Sequence, residues 1–292
     1  MRVGVVGAGL MGSNVSKCLA RKGVLAGVYN RTYEKASRLA SELGVTAYNS
    51  LSSLVASSDA LIIFISEDYA LREVVSRLVE SGNIREKIVV NSSTVTPASS
   101  LEAKAMVEGS GAIYIEAPVF GSTDEARECK LITMISCRSE LRELAEKTVL
   151  LYSSKTKYLG EPPRAMVTKL ALNNIALALP PIIGESLALL EAWDASIEDF
   201  LEIARELWFG LVLERVWGRI MEDRPPRFKV ELAGKDYKTI SESLKAKKIP
   251  AIVADALSNA YYSASASGYE GKDYPQVARH YIELAKKVKK TS

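Results

Sequence analysis

The chain has 292 residues, 48% of them hydrophobic and 25% charged, and a formal net charge of +3. This length predicts two domains or one large one, and the composition is typical of a soluble globular enzyme. The small net charge and the scattered lysines argue against a nucleic-acid partner. A membrane partner is not expected either, since no apolar run reaches the length of a transmembrane helix.

Strand-like and helix-like segments alternate through the first half of the chain. Short apolar runs predict strands, and apolar residues at helical spacing predict helices. In chain order these are a strand at Val3–Val6, a helix at Leu10–Lys22, a strand at Leu25–Tyr29, a helix at Tyr33–Leu43, a strand at Leu61–Ile65, a helix at Tyr69–Ser81, and strands at Lys87–Val90, Ile113–Glu116 and Leu131–Ser136. The alternation predicts a doubly wound parallel sheet with helices on both faces.

After about Gly160 only helical patterns remain. They cover Met166–Trp193 with a break or kink at Pro180-Pro181, then Ile197–Leu207, Lys235–Leu244, Pro250–Ser267 and Tyr274–Lys287. We therefore predict an α/β domain over residues 1–160 and an all-helical domain over residues 161–292. The apolar content of the second half, including Trp208 and Trp217, favours a homo-oligomer, either a dimer or a tetramer.

The three cysteines predict a reducing compartment. Cys18, Cys129 and Cys137 are odd in number and lack metal-ligand spacing, so reduced thiols in a cytoplasmic protein are expected. The first strand begins next to Arg2, which leaves no room for a signal peptide. A single Gln among many Lys, Glu and Arg residues indicates a thermophilic source.

A glycine-rich turn follows the first predicted strand and opens the first helix. It reads Gly7-Ala8-Gly9-Leu10-Met11-Gly12, a G-x-G-x-x-G pattern in the context that a dinucleotide-binding (Rossmann) turn requires. Gly7 allows the tight turn, Gly9 lets the backbone approach a pyrophosphate, and Gly12 permits close packing of helix on strand. The alternative is a glycine-rich turn that binds nothing.

The end of the second strand predicts which dinucleotide is bound. An NAD-binding protein normally has an acidic residue there to bind the ribose hydroxyls, but this chain has Asn30, Arg31 and Thr32. A guanidinium with nearby hydroxyl and amide donors suits a 2′-phosphate. Glu34, the nearest acid, is expected to point into solvent, so the pattern favours NADP over NAD.

Lysine is the best candidate for proton transfer. His280, the single histidine, lies in a C-terminal helical stretch and is expected at the surface or at an interface, which disfavours hydrolytic triads. No metal site is predicted, because paired acids such as Glu140 and Glu143 lie on a charged helix face. Lys169 interrupts an apolar helix, and Asn173, four residues on, shares its face. A snorkelling lysine with a polar neighbour is the alternative.

Five motifs in order resemble those of the β-hydroxyacid dehydrogenase family, relatives of 3-hydroxyisobutyrate and tartronate semialdehyde dehydrogenases, over essentially the whole chain. GAGLMG is similar to G-x-G-x-M-G, and NRT to the NADP-type members. These two segments together form the nucleotide-binding motif, and the other four motifs are NSSTVTP (91–97), similar to D-x-S-T-V-x-P, EAPVFGS (116–122), similar to D-A-P-V-S-G-G, KLALNN (169–174), similar to K-x-x-N-N, and GKDY (234–237), similar to K-D-L.

The resemblance implies a role for each matching residue. Lys169 would be catalytic. Ser93, Gly121, Ser122 and Asn173 would bind substrate, and Thr94 and Lys235 would contact the cofactor. Three departures stand out, which are Phe120 in place of Ser in the substrate loop, Ser66-Glu67 in place of Leu-Pro at the edge of the cofactor pocket, and Pro180-Pro181 in the long helix.

The predicted function is NADP-dependent hydride transfer between the nicotinamide and a small β-hydroxy acid or its semialdehyde, with Lys169 as general acid and base. Serine, glycerate, 3-hydroxyisobutyrate and 3-hydroxypropionate are the expected kinds of hydroxy acid. Two alternatives stay open. One is an imine or larger-carbonyl reductase on the same scaffold, which Phe120 favours. The other is a nucleotide-binding module without catalysis.

Overall fold

The computed structural model describes residues 1–291, and the chain divides into two compact units, Met1–Leu170 and Ala171–Ser292. The first unit contains a six-stranded, all-parallel sheet. Its strands are β1 (Val3–Val6), β2 (Leu25–Tyr29), β3 (Thr46–Tyr48), β4 (Ala60–Ile63), β5 (Ile88–Asn91) and β6 (Ile113–Glu116). The order β3-β2-β1-β4-β5-β6 is that of a doubly wound Rossmann sheet, which confirms the predicted fold class.

The helices of the first unit follow the strands in turn. They are α1 (Leu10–Arg21), α2 (Tyr33–Leu43), α3 (Leu51–Ala56), α4 (Asp68–Glu80), α5 (Pro97–Gly109), α6 (Thr123–Arg127) and α7 (Arg142–Val149), and α8 (Arg164–Ala176) begins in this unit and crosses its boundary. Strands β1, β4 and β5 are buried along their whole length, as expected for a sheet covered on both faces.

A second, smaller sheet departs from the sequence prediction. β7 (Val119–Phe120), β8 (Leu131–Ile135) and β9 (Ser153–Tyr158) form three mixed strands, with β7 antiparallel and β9 parallel to β8. The predicted strand at Leu131–Ser136 exists, but it does not extend the parallel sheet. β7 is two residues long, and β9 consists of polar residues up to Tyr158, so neither has an apolar run that indicates a strand.

The second unit is helical, as predicted. Its helices are α9 (Leu179–Ala192), α10 (Ile197–Arg205), α11 (Gly210–Met221), α12 (Val230–Lys245), α13 (Ile252–Ala264) and α14 (Val277–Thr291). The predicted interruption near Pro180-Pro181 is confirmed, since α8 ends at Ala176 and α9 begins at Leu179. The two prolines occupy the first turn of α9, where the missing N–H groups have no intrahelical partner to lose. Gly184 allows α9 and α14 to pack closely, because an added Cβ would lie 2.7 Å from the Cα of Ala278.

The two helices α8 and α9 are separated by only two residues and form one long apolar segment. By length and composition alone, Arg164–Ala192 is long and apolar enough to cross a membrane. This contradicts the expectation that no apolar segment reaches the length of a transmembrane helix. Core helices of soluble proteins meet the same test. Ile175, Ile182 and Leu189 are each more than half exposed on this segment.

Two expectations about single residues are wrong. Cys18 and Cys129 form a disulfide, so the thiols are not all reduced, and only Cys137 is free. The pairing arises because α1 packs against α6, which brings together residues 111 positions apart. His280 is not at the surface but 4% exposed, with Ser263 Oγ 3.2 Å from its Nε2. Burial lowers the pKa of His280.

Candidate active site

Loops with predicted site residues meet at the carboxyl edge of the parallel sheet. The glycine turn follows β1, residues 30–32 follow β2, Ser66 and Glu67 follow β4, and Ser93 and Thr94 follow β5. Strands β2 and β4 lie on either side of β1, so the chain changes direction across the sheet at β1 and β4. Ligands of open α/β sheets bind in the crevice at such a switch point.

The glycine turn has the close contacts that only glycine permits. Gly7 has φ of +105°, and an added Cβ would lie 2.0 Å from the carbonyl oxygen of Phe64. A Cβ on Gly12 would lie 1.9 Å from the Gly7 oxygen. Gly9, in contrast, faces open space and is the N-cap of α1 without a side-chain cap. The first N–H groups of α1 are therefore directed at an open position that fits a pyrophosphate.

The side chains after β2 divide into one that braces the loop and two that are exposed. Asn30 accepts a hydrogen bond from Ala8 N–H at 3.0 Å and donates to the Thr32 oxygen at 3.0 Å. Its amide therefore joins this loop to the glycine turn. Arg31 and Thr32 are exposed, and Thr32 is the N-cap of α2 without a side-chain cap bond. Within residues 1–291, Arg31 has no ion pair or hydrogen bond through its guanidinium, which leaves it available to an anion. Glu34 is exposed, as expected.

Ser93 ties together the loops after β4 and β5. Its Oγ accepts from Ile65 N–H at 3.1 Å and donates to the Ile63 oxygen at 3.3 Å, and the residue is 2% exposed. Ser66 is exposed, and Glu67 is the partly buried N-cap of α4. Thr94 is partly buried.

The predicted substrate loop runs from β7 into α6. Gly121 has φ of +127°, and an added Cβ would lie 2.7 Å from Leu131 Cδ2, so a larger residue does not fit. Ser122 is the N-cap of α6. Its Oγ donates to the carboxylate of Glu125, and the same carboxylate accepts from Ser122 N–H at 2.8 Å. The Ser122 hydroxyl proton is therefore already donated to Glu125, and the two residues also form the capping box that begins α6.

Lys169 is the one lysine in the first unit that is largely withdrawn from solvent, with 9% of its surface exposed. Its Nζ lies over the ring of Phe120, 3.6 Å from the ring centroid. The departure from the family motif therefore contacts the predicted catalytic residue directly. A buried ammonium is costly unless a partner stabilises it, and the face of an aromatic ring is one such partner.

A buried acid holds the beginning of the helix that carries Lys169. Glu116 ends β6 and is 0% exposed, and its carboxylate accepts from Met166 N–H at 2.9 Å and from Ser100 Oγ. Ser136 Oγ accepts the neighbouring Ala165 N–H at 2.9 Å. Burial raises the pKa of Glu116, and the hydrogen bonds that it accepts offset only part of this rise.

The same acid is linked to Ser93 through buried side chains. Ser100 Oγ is 2.9 Å from Tyr114 Oη, and Asn91 donates to that Oη at 3.1 Å. Asn91 in turn accepts from Ser93 N–H at 3.1 Å. One continuous polar network therefore holds both the Ser93 loop and the first turn of α8, inside the first unit.

In the second unit, Asp236 joins two predicted site residues. Asn173 is 5% exposed and donates to Asp236 Oδ2 at 2.8 Å, and Lys235 Nζ is 2.6 Å from Asp236 Oδ1. Asp236 itself is 2% exposed. Its carboxylate fixes the amide of Asn173, which keeps a second N–H for another acceptor.

The sequence analysis did not predict the contacts that three residues make in this arrangement. These residues are Glu116, Phe120 and Asp236. Each belongs to a motif that the sequence analysis quoted, since Glu116 and Phe120 are in EAPVFGS and Asp236 is in GKDY. For Glu116, an acid inside a largely apolar motif was the available signal. Its partner Met166 lies 50 residues away in the chain, and Asn173 lies 63 residues from Asp236, so neither partner could be identified from spacing.

Comparison with known proteins identifies the family of the first part of the chain. Residues 2–160, more than half of the chain, match the family model described as the NAD binding domain of 6-phosphogluconate dehydrogenase. The chain is 25% identical over 281 residues to the uncharacterized oxidoreductase YfjR of Bacillus subtilis (strain 168), covering 94% of this chain and 97% of YfjR. It is 26% identical over 287 residues to glyoxylate/succinic semialdehyde reductase 1 of Arabidopsis thaliana, covering 95% and 97%.

Solved structures share the fold over nearly the whole chain. A 3-hydroxyisobutyrate dehydrogenase from Mycobacterium tuberculosis, solved with L-serine, superposes with a TM-score of 0.82 at 19% identity, covering 96% of this chain and 99% of that one. An imine reductase from Pseudomonas sp. superposes with a TM-score of 0.63 at 22% identity, covering 95% and 98%. The resemblance predicted from the motifs is therefore confirmed for the nucleotide-binding domain and for the fold.

Proposed function

The chain belongs to the family of the NAD binding domain of 6-phosphogluconate dehydrogenase, and from this premise we propose that it is an NADP-dependent oxidoreductase of the β-hydroxyacid dehydrogenase type. Its substrate would be a small β-hydroxy acid or the corresponding semialdehyde, and Lys169 would be the general acid and base. The observation that carries the proposal is the burial of Lys169 against Phe120.

The choice of NADP rests on Arg31. Its exposed guanidinium follows β2, beside the uncapped N-terminus of α2, and both features favour a dianionic 2′-phosphate. Thr32 adds a hydroxyl donor. Asn30 supports the NADP site indirectly, since its amide is used to hold the loop against the glycine turn. The residues of the turn, Gly7 to Gly12, would hold the pyrophosphate, and Ser66, Glu67, Thr94 and Lys235 are proposed as further cofactor contacts.

The bound nicotinamide supplies or accepts the hydride. The chain's own contribution is a proton at Lys169 Nζ, which goes to the carbonyl oxygen in reduction and returns from the hydroxyl in oxidation. The low exposure of Lys169 limits the access of water to this proton. Glu116 holds the first turn of α8, and so fixes the helix from which Lys169 extends.

The substrate is proposed to be short and polar. Ser93 and Ser122 each donate their hydroxyl proton to an acceptor in the protein, so either serine can bind a carboxylate only by exchanging that acceptor. The exposed backbone at Gly121 and the second amide hydrogen of Asn173 are available without such an exchange. The ring of Phe120 occupies the space of a smaller residue, which favours a short substrate over a long-chain one.

The alternative that an observation favours is reduction of an imine or of a bulkier carbonyl. Phe120 brings an aromatic face to Lys169 where the resembling motif has a hydroxyl, and an apolar wall suits a substrate without a carboxylate. The third reading, a nucleotide-binding module without catalysis, leaves the buried lysine without a role.

The test is a substrate panel with a matched pair of lysine variants. Glyoxylate, succinic semialdehyde, 3-hydroxyisobutyrate, serine and a cyclic imine are assayed with NADP(H) and with NAD(H). We expect turnover of a small acid or semialdehyde with NADP(H), a loss of about 10²–10⁴-fold in Lys169→Met with NADP binding retained, and no loss in the exposed Lys155→Met control.

Other outcomes of this panel select among the alternatives. Faster turnover of the cyclic imine than of any small acid would support the imine reductase instead. Near-normal turnover in Lys169→Met would remove the lysine from the chemistry. No turnover of any compound, with NADP still bound, would leave the nucleotide-binding module.

A further inference from the structure

The contact between Lys169 and Phe120 is specific in its geometry. The ammonium lies above the ring face, 3.6 Å from the centroid, within the distance at which a cation is attracted to an aromatic quadrupole. Lys169 is 9% exposed, so water screens this attraction only weakly. The contact is internal to the first unit.

The ring is held in place by the small sheet. Phe120 is the second residue of β7 and pairs with Ile132 of β8. The next residue, Gly121, turns the chain through a backbone conformation with φ of +127° that larger residues rarely adopt. Phe120 therefore has a fixed backbone on both sides, whereas Lys169 extends from α8 on four rotatable bonds. The rigid partner in this pair is the ring.

We propose that Phe120 is a positioning residue for Lys169, whose ring face holds the ammonium where it donates a proton to the substrate. This inference rests on the proposed function. In carbonyl reduction the C=O π bond breaks, the carbon gains a hydride from the reduced nicotinamide, and the oxygen gains a proton from Nζ. Lys169 is left as a neutral amine and regains a proton from water. Phe120 itself exchanges no proton or electron. It restricts the long side chain to one arrangement.

The experiment compares three variants of Phe120 in the full chain. Phe120→Tyr keeps the aromatic face, Phe120→Leu and Phe120→Met keep apolar volume without it, and Phe200→Leu in α10 is a control at another partly buried phenylalanine. The first readout is the NMR chemical shift of the ¹³C-labelled Lys169 ε-methylene in protein without ligands, assigned with Lys169→Met. The second is kcat and KM for reduction of glyoxylate or succinic semialdehyde with NADPH.

We expect the ring to shift the Lys169 resonance upfield in the parent chain and in Phe120→Tyr, and this shift to disappear in Phe120→Leu and Phe120→Met. The value of kcat should fall by about 2- to 30-fold in the two aliphatic variants, the rate equivalent of one cation–π contact, with KM for NADPH unchanged. Phe120→Tyr should restore kcat to within about twofold, and Phe200→Leu should match the parent.

The contrary results are distinct. An unchanged Lys169 resonance in Phe120→Leu, or kcat no higher in Phe120→Tyr than in Phe120→Leu, would overturn the positioning role, because a loss of packing alone does not distinguish aromatic from aliphatic residues. If the resonance behaves as expected but Lys169→Met turns over normally, the proposed function has failed rather than the contact. The role of Phe120 in positioning Lys169 for catalysis then fails together with the proposed function.

Discussion

Reduction of the Cys18–Cys129 disulfide should destabilise the first unit strongly. Cys18 lies in α1, the helix that follows the glycine turn, and Cys129 lies two residues beyond α6, the helix that Ser122 caps. The bond therefore joins the cofactor helix to the end of the proposed substrate loop. Cys18 is fully buried, so the bond is protected in the folded chain.

The size of the effect follows from the length of chain that the bond closes. With a sequence separation of 111 between the two cysteines, the loop-closure entropy removed from the unfolded state corresponds to about 4.8 kcal/mol at 25 °C. For a unit of this size, such a change lowers the melting temperature by about 10–20 °C. This value is an upper bound, because a compact unfolded chain has less entropy to lose.

The assay combines thiol counting with thermal unfolding. Of the three cysteines, we expect only Cys137 to react with a thiol reagent in denaturant before reduction, and all three to react after it. The melting temperature should fall on treatment with a reductant in the parent chain and in Cys137→Ser. The double variant Cys18→Ser/Cys129→Ser should melt at the lower temperature with or without reductant.

Two results would refute this reasoning. Three reactive thiols before reduction would mean that the disulfide is absent from the protein in solution. A disulfide that is present but whose reduction leaves the melting temperature unchanged would mean that loop closure does not limit the unfolded chain.

Three further predictions concern cofactor choice, pH and assembly. Arg31→Ala should weaken NADP binding by about 10- to 100-fold, from the loss of a charge-assisted pair worth about 1.5–3 kcal/mol, and leave NAD binding nearly unchanged in calorimetric titrations; equal losses would contradict it. Burial raises the pKa of Glu116 above its usual 4.5, so the folded chain favours the protonated form. The contribution of Glu116 to the free energy of unfolding is therefore complete below pH 4.5 and is lost as the pH rises through the raised pKa. The free energy of unfolding of Glu116→Gln, relative to the parent, should therefore increase with pH above about 4.5, and a flat difference in urea titrations between pH 4 and 8 would argue against it. Trp208 is 90% and Leu189 61% exposed, so we expect a homo-oligomer formed through residues after Gly160; light scattering that gives the monomer mass at micromolar concentration would exclude it.

The sequence alone determined the parts of the chain that depend on local pattern. The glycine turn, β1, β2 and α2 are present at the predicted residues, because each is specified by a contiguous apolar run, a helical spacing or a turn that only glycine allows. The order of strands and helices was sufficient to predict the doubly wound sheet, since parallel strands need crossover connections of that kind.

Short elements escaped the sequence analysis because tertiary contacts stabilise them. The three-residue strand β3 has no buried apolar run of its own, and it is stabilised by parallel pairing with β2. Helix α6 has five residues, too few to show a period, and is stabilised by its capping box and by packing on α1. α11 was missed as well, although its buried residues Leu213 and Ile220 lie at helical spacing.

Only the tertiary structure decided which side chains meet. Cys18 forms a disulfide with Cys129, Glu116 accepts a hydrogen bond from the first turn of the helix that carries Lys169, and Phe120 lies beneath the Lys169 ammonium. The members of each pair are too far apart in the sequence for a local pattern to predict the contact. Sequence motifs identified several of these residues as important but not as partners. A motif constrains the type of residue at a position, whereas a contact depends on the packing of strands and helices that lie far apart in the chain.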